Sequence, residues 1–279
     1  MANQIPSFAW RALKNIKKQA LKHDIARFYQ IPLGRMNYLI KNRKRFVGSF
    51  GTHGEALAAA SKHGLAGYDH ESVVDISFEK MCKVAPWDYP ILFWLQKLLP
   101  DNPCLIDAGG HMGTKFRAFG TLLDYQPELE WVVYDLPEMV AAGRDKAELE
   151  GVSQLSFIDT PSDLPASDLM LASGLLQYLD TPFSKFLSQL PKLPHHLLLN
   201  KVATREGPTI VTLENFGCAF VPYQIRNQEE FISSITDLGY KIIDQWENPS
   251  LSHTITTHPE LKSSTNLGFY LQHESRLSD

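Results

Sequence analysis

The stretch Cys104-Leu-Ile-Asp-Ala-Gly-Gly-His-Met-Gly113 organises the interpretation of the whole chain. An apolar run ends in Asp107, a glycine-rich turn follows, and a helix-like segment begins at Thr114. A strand, a glycine turn and a helix in this order present backbone N–H groups and a helix N-terminus to a ligand. The spacing Asp-x-Gly-Gly-x-x-Gly is close to the dinucleotide pattern without matching it, so an ordinary tight turn is the alternative interpretation.

A second acid supports the ligand interpretation. Trp131-Val-Val-Tyr-Asp135 is an apolar segment that ends in a carboxylate, 28 residues (135 − 107) after the first acid. That separation leaves room for one helix and its connections. A carboxylate at the tip of the second strand can accept both ribose hydroxyls of an adenosine-containing ligand. Alternatively, Asp135 caps the helix that begins near Pro137.

Composition limits the class of protein. The chain has 279 residues, of which 44% are hydrophobic and 21% charged, which suits one large globular domain or one domain with an appendage. No run approaches the ~20 apolar residues of a membrane span, and the first residues lack the order of a secretory signal. Cys82, Cys104 and Cys218 are the only cysteines, so we expect reduced thiols, a cytoplasmic protein and no metal site.

Charge is distributed unevenly along the chain. Residues 1–45 hold eleven Lys/Arg and one acid, which leaves 16 basic and 30 acidic residues for the remainder. An acidic body argues against nucleic acid as a partner. Residues 8–29 show helical spacing of apolar side chains with lysines between them. This segment is interpreted either as an arm packed on the main domain or as a basic helix for peripheral contact with an anionic membrane or an acidic partner.

Strand-like and helix-like segments alternate from Cys104 onward, which predicts an α/β fold with a parallel sheet covered on both faces. The predicted strands are 104–107, 131–135, 155–158, 168–172, 196–201, 240–246 and 267–272. The predicted helices are 114–124, 137–150, 177–190 and 228–238. Residues 1–100 show helix signals without strand-like alternation, so we predict an N-terminal helical arm and cap at 1–100 and a main domain at 101–279.

The last two predicted strands interrupt the alternation. Tyr240–Trp246 and Leu267–Gln272 have no long helix between them. Two strands joined only by a loop can pair antiparallel. A parallel sheet finished by an antiparallel pair differs from the usual all-parallel dinucleotide fold.

This order of elements resembles the class I S-adenosylmethionine-dependent methyltransferases, over about residues 104–273. In that Rossmann-like family the sheet has seven strands, and the seventh runs antiparallel between the fifth and the sixth. Several motifs also look like a bacterial methyltransferase family that is often associated with surface-polysaccharide or natural-product pathways. These motifs are Gly48 to Tyr68, Pro86-Trp-Asp-Tyr-Pro90, the glycine turn, Leu175-Leu-Gln-Tyr-Leu179 and Pro222-Tyr223.

The resemblance implies S-adenosyl-L-methionine as the cofactor and assigns the glycine turn to it. The residues that match the motif around the methionine part of the cofactor are Asp107, Gly109, Gly110 and Gly113. His111 and Met112 depart from the pattern, because they are bulkier than the residues found in many such turns.

Further cofactor residues follow the next three strands. Asp135 matches the acid that holds the ribose, and Asp135-Leu136-Pro137 resembles a tripeptide of small-molecule O-methyltransferases. Asp159 matches the position where a polar side chain meets the adenine amine, although an acid before a proline is also typical of a turn. Ser173 and Gly174 match the loop whose backbone lies near the methionine amine.

Methyl transfer from an activated sulfonium depends mostly on alignment of the reactants, and an oxygen acceptor benefits from a general base. His253 and His258, in the loop between the last two strands, are the candidate bases, and solvated loop histidines are the alternative. The candidate substrate contacts are Tyr178, Glu214 and Tyr223, of which Tyr178 is equally typical of a core aromatic.

The sequence thus predicts a methyltransferase that acts on a hydroxyl of a small molecule or glycan precursor. We expect the acceptor pocket to be shared between residues 48–94 and the loops 174–178 and 214–224; alternatively, the N-terminal helices only cover one face of the sheet. Two alternatives are kept. A nicotinamide-dependent oxidoreductase predicts a sheet without the antiparallel seventh strand, and a non-catalytic methyltransferase-like scaffold would act through its basic arm.

Overall fold

The computed structural model describes residues 45–61, 65–66, 78–216 and 219–274. The predicted helix at 8–29 and Cys218 lie outside the described residues. The strands are β1 Phe46–Phe50, β2 Leu65–Ala66, β3 Cys104–Ala108, β4 Glu130–Tyr134, β5 Leu155–Ile158, β6 Leu169–Ser173, β7 His196–Arg205, β8 Ile210–Asn215, β9 Ala219–Asn227, β10 Tyr240–Glu247 and β11 Thr265–His273. The helices are α1 His53–Ser61, α2 Phe78–Met81, α3 Tyr89–Leu98, α4 Thr114–Phe119, α5 Pro137–Glu150, α6 Phe183–Leu187 and α7 Gln228–Thr236.

Seven strands form the main sheet in the order β5-β4-β3-β6-β7-β11-β10. The first five of these are mutually parallel, whereas β11 pairs antiparallel with both β7 and β10. This is the strand order of the class I methyltransferase fold, so the predicted fold class is confirmed. The oxidoreductase alternative required a sheet without the antiparallel strand, and the structure contradicts that requirement.

The central strands are apolar throughout because helices cover both faces of the sheet. Leu105 and Leu169 pack on one face with α3, α4 and α5, whereas Ile106 and Met170 pack on the other with α6 and α7. Neighbouring residues of one strand point to opposite faces, so each strand supplies both layers of the core.

A smaller sheet extends from the end of β7. In it β8 pairs antiparallel with β9 and with β1, while the end of β9 runs parallel to the end of β7, with Thr204 opposite Arg226. The expectation that no strand precedes Cys104 was wrong, because Phe46–Phe50 forms β1. A positive φ of 78° at Gly48 and a register shift between Val47 and Phe50 interrupt the alternation that would have indicated this strand.

Two predicted helices are shorter in the structure. The segment 177–190 consists of a 3-10 turn at Leu176–Tyr178 and a separate short α6, with Pro182 between them. Proline lacks a backbone N–H and disfavours helical geometry in the residue before it, so the helix cannot run through this point. The predicted helix 114–124 ends at Phe119, with Gly120 as its C-terminal cap.

The N-terminal helix α3 covers one face of the main sheet. Ile91 and Leu95 are fully buried there, and Trp94 Nε1 donates a hydrogen bond of 2.9 Å to Asp244 Oδ2 on β10. At the other end, the Trp87 carbonyl accepts a hydrogen bond of 2.9 Å from Asn200 Nδ2 on β7. Among the described residues, no helix combines the length and the apolar character needed to cross a membrane.

Candidate active site

The glycine turn alternates left-handed residues. Gly109, His111 and Gly113 have φ values of 73°, 55° and 75°. Left-handed backbone is accessible to glycine without strain, which explains two of these three positions. The Gly109 N–H donates to the Tyr134 carbonyl at 2.7 Å, and a Cβ added to Gly109 would lie 3.0 Å from Leu175 Cβ. The turn is therefore held tightly between β4 and the residues that follow β6.

The two bulky residues of the turn point into the protein. The His111 and Met112 side chains are both only 4% exposed. The His111 ring lies 6.4 Å from the ring of Phe78 on α2. The two large side chains that depart from the family pattern therefore lie inside the fold. The backbone of the turn remains at the carboxyl edge of the sheet.

Asp107 lies beneath the turn rather than on it. Its side chain is 1% exposed, and its Oδ2 accepts a hydrogen bond of 3.0 Å from Trp131 Nε1. A Cβ on Gly110 would come within 2.6 Å of this oxygen, so glycine allows the turn to close over the carboxyl group. Burial raises the pKa of Asp107 to about 7, against the opposing effects of the Trp131 hydrogen bond and Lys115.

Asp135 is bonded to the turn that it faces. Its Oδ2 accepts from the His111 N–H at 2.7 Å, and its Oδ1 accepts from the Leu136 N–H at 2.8 Å. Burial raises the pKa of this carboxyl group, and the two backbone hydrogen bonds oppose that shift. Each carboxylate oxygen accepts two hydrogen bonds, so capacity remains for a pair of ribose hydroxyls. Leu136 is exposed beside it.

The predicted adenine contact lies further along the same edge. Asp159 follows β5 directly, is exposed, and accepts a hydrogen bond of 3.1 Å from the Thr160 hydroxyl. The side chain therefore stands at the strand end expected for this role.

Two polar atoms that could still form hydrogen bonds lie at and just beyond the end of β6. Ser173 Oγ and Gln177 Oε1 are buried and have no hydrogen-bond partner within the described part of the chain. Leaving a buried polar group unsatisfied costs about 1–3 kcal/mol, so such atoms indicate a binding site. Gly174 between them has φ 98° and donates its N–H to the Asn200 carbonyl at 3.0 Å. These residues fit a ligand that has both donors and acceptors.

A buried ion pair joins the N-terminal segment to this edge. Lys115 Nζ on α4 contacts Asp88 Oδ1 at 2.7 Å and Oδ2 at 2.8 Å, and both side chains are buried. Sequence reasoning missed this pair. The available signals were an acid between two prolines in the segment 86–90 and a lysine in the first turn after the glycines.

The four predicted acceptor-side residues lie together. We call Tyr178, Glu214, Tyr223 and His253 the tyrosine cluster. Tyr178 donates its hydroxyl to Glu214 Oε2 at 2.7 Å, and its ring centroid lies 5.6 Å from that of Tyr223. The Tyr223 ring is in turn 5.4 Å from the His253 ring. Residues from three separate parts of the chain therefore form one contiguous, largely buried cluster.

Glu214 is the charged centre of the tyrosine cluster. It is 2% exposed, and its Oε1 accepts a hydrogen bond of 2.8 Å from Arg45 Nε. Its other oxygen binds Tyr178, so both carboxylate oxygens are engaged within the protein. A paired carboxylate of this kind fixes the orientation of its partners.

His253 is enclosed rather than solvated. Its ring stacks on Phe46, with centroids 4.0 Å apart and planes 8° from parallel. Burial, together with nearby Arg45, lowers the pKa of His253 to about 4. The imidazole is therefore neutral at physiological pH and is a weak base. His258 lies nearby, with Nδ1 2.9 Å from Thr257 Oγ1.

No family model matches this chain, and no curated protein sequence does either. The narrower bacterial family resemblance therefore rests on the quoted motifs. Among solved structures, the chain is similar to the N-terminal domain of EvdMO1 with SAH bound, at 11% identity and a TM-score of 0.49, covering 80% of this chain and 98% of that one.

Two further structures are similar at the same distant level. One is OxaC in complex with SAH and oxaline, at 15% identity and a TM-score of 0.47, covering 77% of this chain and 53% of that one. The other is the 1,6-didemethyltoxoflavin-N1-methyltransferase of Burkholderia thailandensis, at 16% identity and a TM-score of 0.46, covering 73% and 87%. The chain thus spans about half the length of OxaC.

Proposed function

We propose that the protein is an S-adenosylmethionine-dependent methyltransferase that acts on a hydroxyl of a small molecule or glycan precursor. The observation that carries the proposal is the hydrogen bond from the His111 N–H to Asp135, which joins the glycine turn to the acid of the neighbouring strand. This pair stands at the carboxyl edge of a sheet with the class I strand order, where ligands of open α/β sheets bind.

The proposed role of each cofactor residue follows from its position along that edge. The turn Gly109–Gly113 would face the methionine part, Asp135 the ribose, Asp159 the adenine, and Ser173 with Gly174 the amino-acid end. When bound, the cofactor supplies a methyl group already activated by the sulfonium. The protein contributes binding, orientation and exclusion of water, which account for much of the acceleration when the reactants are aligned.

The acceptor pocket is proposed between the N-terminal segment 48–94 and the segments 174–178 and 214–224. The second of these was expected to be a loop, but most of its described residues belong to β8 and β9. Two contacts support the pocket: Tyr178 binds Glu214, and β1 pairs with β8 along the edge that carries Glu214. The proposed boundary between 1–100 and 101–279 therefore falls within one smaller sheet, because β1 of the first segment pairs with β8 of the second.

The basic segment 8–29, which lies outside the described residues, suggests a peripheral contact with anionic lipid in a cytoplasmic protein. Such binding would rest on charge and would fall steeply with salt. Sedimentation with vesicles that contain phosphatidylserine, at low and at high salt, tests it. Absence of binding at low salt would leave only the packed-arm interpretation.

Calorimetry with S-adenosylhomocysteine and with NAD tests the function. We expect the wild-type protein to bind the first and not the second. Asp135→Asn should weaken S-adenosylhomocysteine binding by roughly 1.5–3 kcal/mol, because a carboxylate that accepts hydroxyl hydrogen bonds is lost. Asp101→Asn, at an exposed acid, is the matched control and should change nothing. Binding of NAD, or an unchanged affinity in a folded Asp135→Asn variant, would refute the assignment.

A further inference from the structure

Lys201 interrupts the central strand β7 at the carboxyl edge. On one side, pairing with β6 ends at Ser173 opposite Asn200. On the other side, β11 pairs Leu267 with Val202 and Phe269 with Leu199, so two residues of β7 oppose one of β11. Such bulges re-aim side chains and are frequent beside active sites.

The backbone of Lys201 is left-handed, with φ 59°. This conformation is costly for a residue with a long side chain and persists only where the surroundings impose it. Strain of this kind clusters at functional sites. The bulge and the positive φ together set the direction in which the lysine side chain leaves the strand.

The side chain of Lys201 runs along the end of β6. A Cβ added to Gly174 would lie 3.6 Å from Lys201 Cδ and 3.8 Å from Nζ. The amine therefore lies beside the last residue proposed to hold the cofactor. Within the described ranges, Nζ has neither a hydrogen bond nor an ion pair.

The acidic groups near the Lys201 amine are already bonded to other side chains. Asp88, before α3, is bound through both oxygens to Lys115 on α4. Asp107 on β3 is bound to Trp131 and is itself close to half protonated near neutral pH. Burial, together with the charge of Lys115, lowers the pKa of Lys201 to about 8, and the two acids oppose the shift.

The order of strands places Lys201 between the two proposed halves of the site. The proposed cofactor residues stand at the ends of β5, β4, β3 and β6, in that order across the sheet, and β7 is the next strand. Beyond the bulge, β7 continues to pair with β9, where Thr204 faces Arg226. Because β9 carries Tyr223, the amine lies between the cofactor edge and the tyrosine cluster.

We propose that Lys201 is the base that takes the proton of the hydroxyl group of the methyl acceptor. This rests on the proposed methyltransferase function. Neutral Nζ takes the proton of the acceptor O–H, and the oxygen forms a bond to the methyl carbon. The methyl–sulfur bond breaks with its electron pair left on sulfur, and the resulting ammonium later returns the proton to water.

General-base catalysis is most efficient when the pKa of the base lies near the operating pH. Lys201, with its pKa lowered to about 8, meets this condition. His253 is the less suitable base, because it is stacked against Phe46 and its pKa is lowered to about 4.

Two matched variants separate this role from a structural one. Lys201→Asn removes the amine with a residue that tolerates left-handed backbone. Lys262→Asn is the control, because Lys262 also has a positive φ, of 63°, but its side chain is 73% exposed in the loop between β10 and β11. We expect both variants to bind S-adenosylhomocysteine within about twofold of the wild type, since the base lies beyond the cofactor.

A loss of roughly tenfold or more in Lys201→Asn alone would overturn the inference, because the amine would then hold the cofactor. Failure of the wild type to bind S-adenosylhomocysteine would instead refute the proposed function. The two failures are therefore distinguishable in the same titration.

Chemical labelling reports on the amine directly. Acetylation by acetic anhydride, followed residue by residue with mass spectrometry, should rise for Lys201 with a midpoint near pH 8. Saturating S-adenosylhomocysteine should leave the Lys201 rate nearly unchanged. A Lys201 midpoint at the ordinary lysine value of about 10, or strong protection by S-adenosylhomocysteine, would contradict the assignment.

Discussion

The cofactor edge and the tyrosine cluster are built in opposite ways. At the cofactor edge, residues of one short stretch meet, as when the His111 N–H binds Asp135 only 24 residues away. The tyrosine cluster joins Tyr178 to Glu214 across 36 residues and Arg45 to Glu214 across 169. One region is therefore assembled locally and the other only by the complete fold.

The two regions also differ in how their polar groups are satisfied. The cofactor edge keeps capacity for a ligand, in the second lone pairs of Asp135 and in Ser173 Oγ. In the tyrosine cluster, each oxygen of Glu214 likewise accepts one hydrogen bond, but the donors are the side chains of Arg45 and Tyr178, whereas Asp135 accepts from backbone N–H groups. The difference suggests that the second region is a wall of side chains that hold one another in place and shape the acceptor pocket.

The largest effect is expected from a substitution that disrupts only the cofactor edge. Gly109→Val should weaken S-adenosylhomocysteine binding by roughly 100-fold or more, because a β-branched residue resists positive φ and its Cβ would press on Leu175. Gly151→Val is the matched control, since Gly151 also has positive φ but its Cβ would meet nothing within 4 Å. We expect the control to lose stability and keep its affinity in calorimetry. Equal affinities in the two variants would place the cofactor elsewhere.

The next largest effect is a loss of stability expected from a substitution in the tyrosine cluster. Tyr178→Phe should lower the free energy of unfolding by about 2 kcal/mol, because buried Glu214 loses one of its hydrogen-bond donors. S-adenosylhomocysteine affinity should not change. Tyr89→Phe, at a tyrosine that is 61% exposed, should have no effect on urea unfolding. A loss of cofactor affinity in Tyr178→Phe would show that the two regions are not separate.

The smallest effect concerns protonation of His253. Its pKa in the folded state is about 4, against an ordinary value of 6.5, so the unfolded chain binds more protons between these values. Stability should therefore fall as pH drops through this window. Between roughly pH 7 and pH 5, the wild type should lose about 1 kcal/mol more than His253→Phe, after allowing for the partial exposure of the ring.

His253→Phe keeps a ring to stack on Phe46 and removes the titrating group. The opposite pH effect of buried Asp107 is common to both proteins and cancels in the difference. Urea unfolding at both pH values measures it. Parallel pH profiles would mean that the imidazole is not neutralised by burial.

The main sheet could be predicted because its signals are local. β3 and β4 are apolar runs that end in acids, and the absence of a helix between β10 and β11 indicated the antiparallel pair. β1, β8 and β9 were not predicted. β1 is interrupted by Gly48, and β8 and β9 become strands through pairing with each other and with segments distant along the chain.

The residues of the site also divide into those with a local sequence signal and those without one. The glycine turn and Asp135 were recognisable from spacing, and the structure places them in contact. The ion pair of Asp88 with Lys115 left only an acid between two prolines and a lysine after the glycines, and the bulge at Lys201 left no pattern, because each depends on segments brought together by the sheet. His253 was expected in a loop, but its stacking against β1 follows from a strand that was not predicted.

Hydrogen exchange with and without S-adenosylhomocysteine tests the central claim most directly, that the cofactor binds at the edge formed by the ends of β3 to β6. Bound ligand should slow exchange at residues 107–114, 135–138 and 173–175, where backbone N–H groups face the proposed site. Exchange in 210–216 and 219–227 should stay unchanged, because the β8–β9 pair lies beyond the cofactor. Protection confined to 210–227, with none in the glycine turn, would contradict the account.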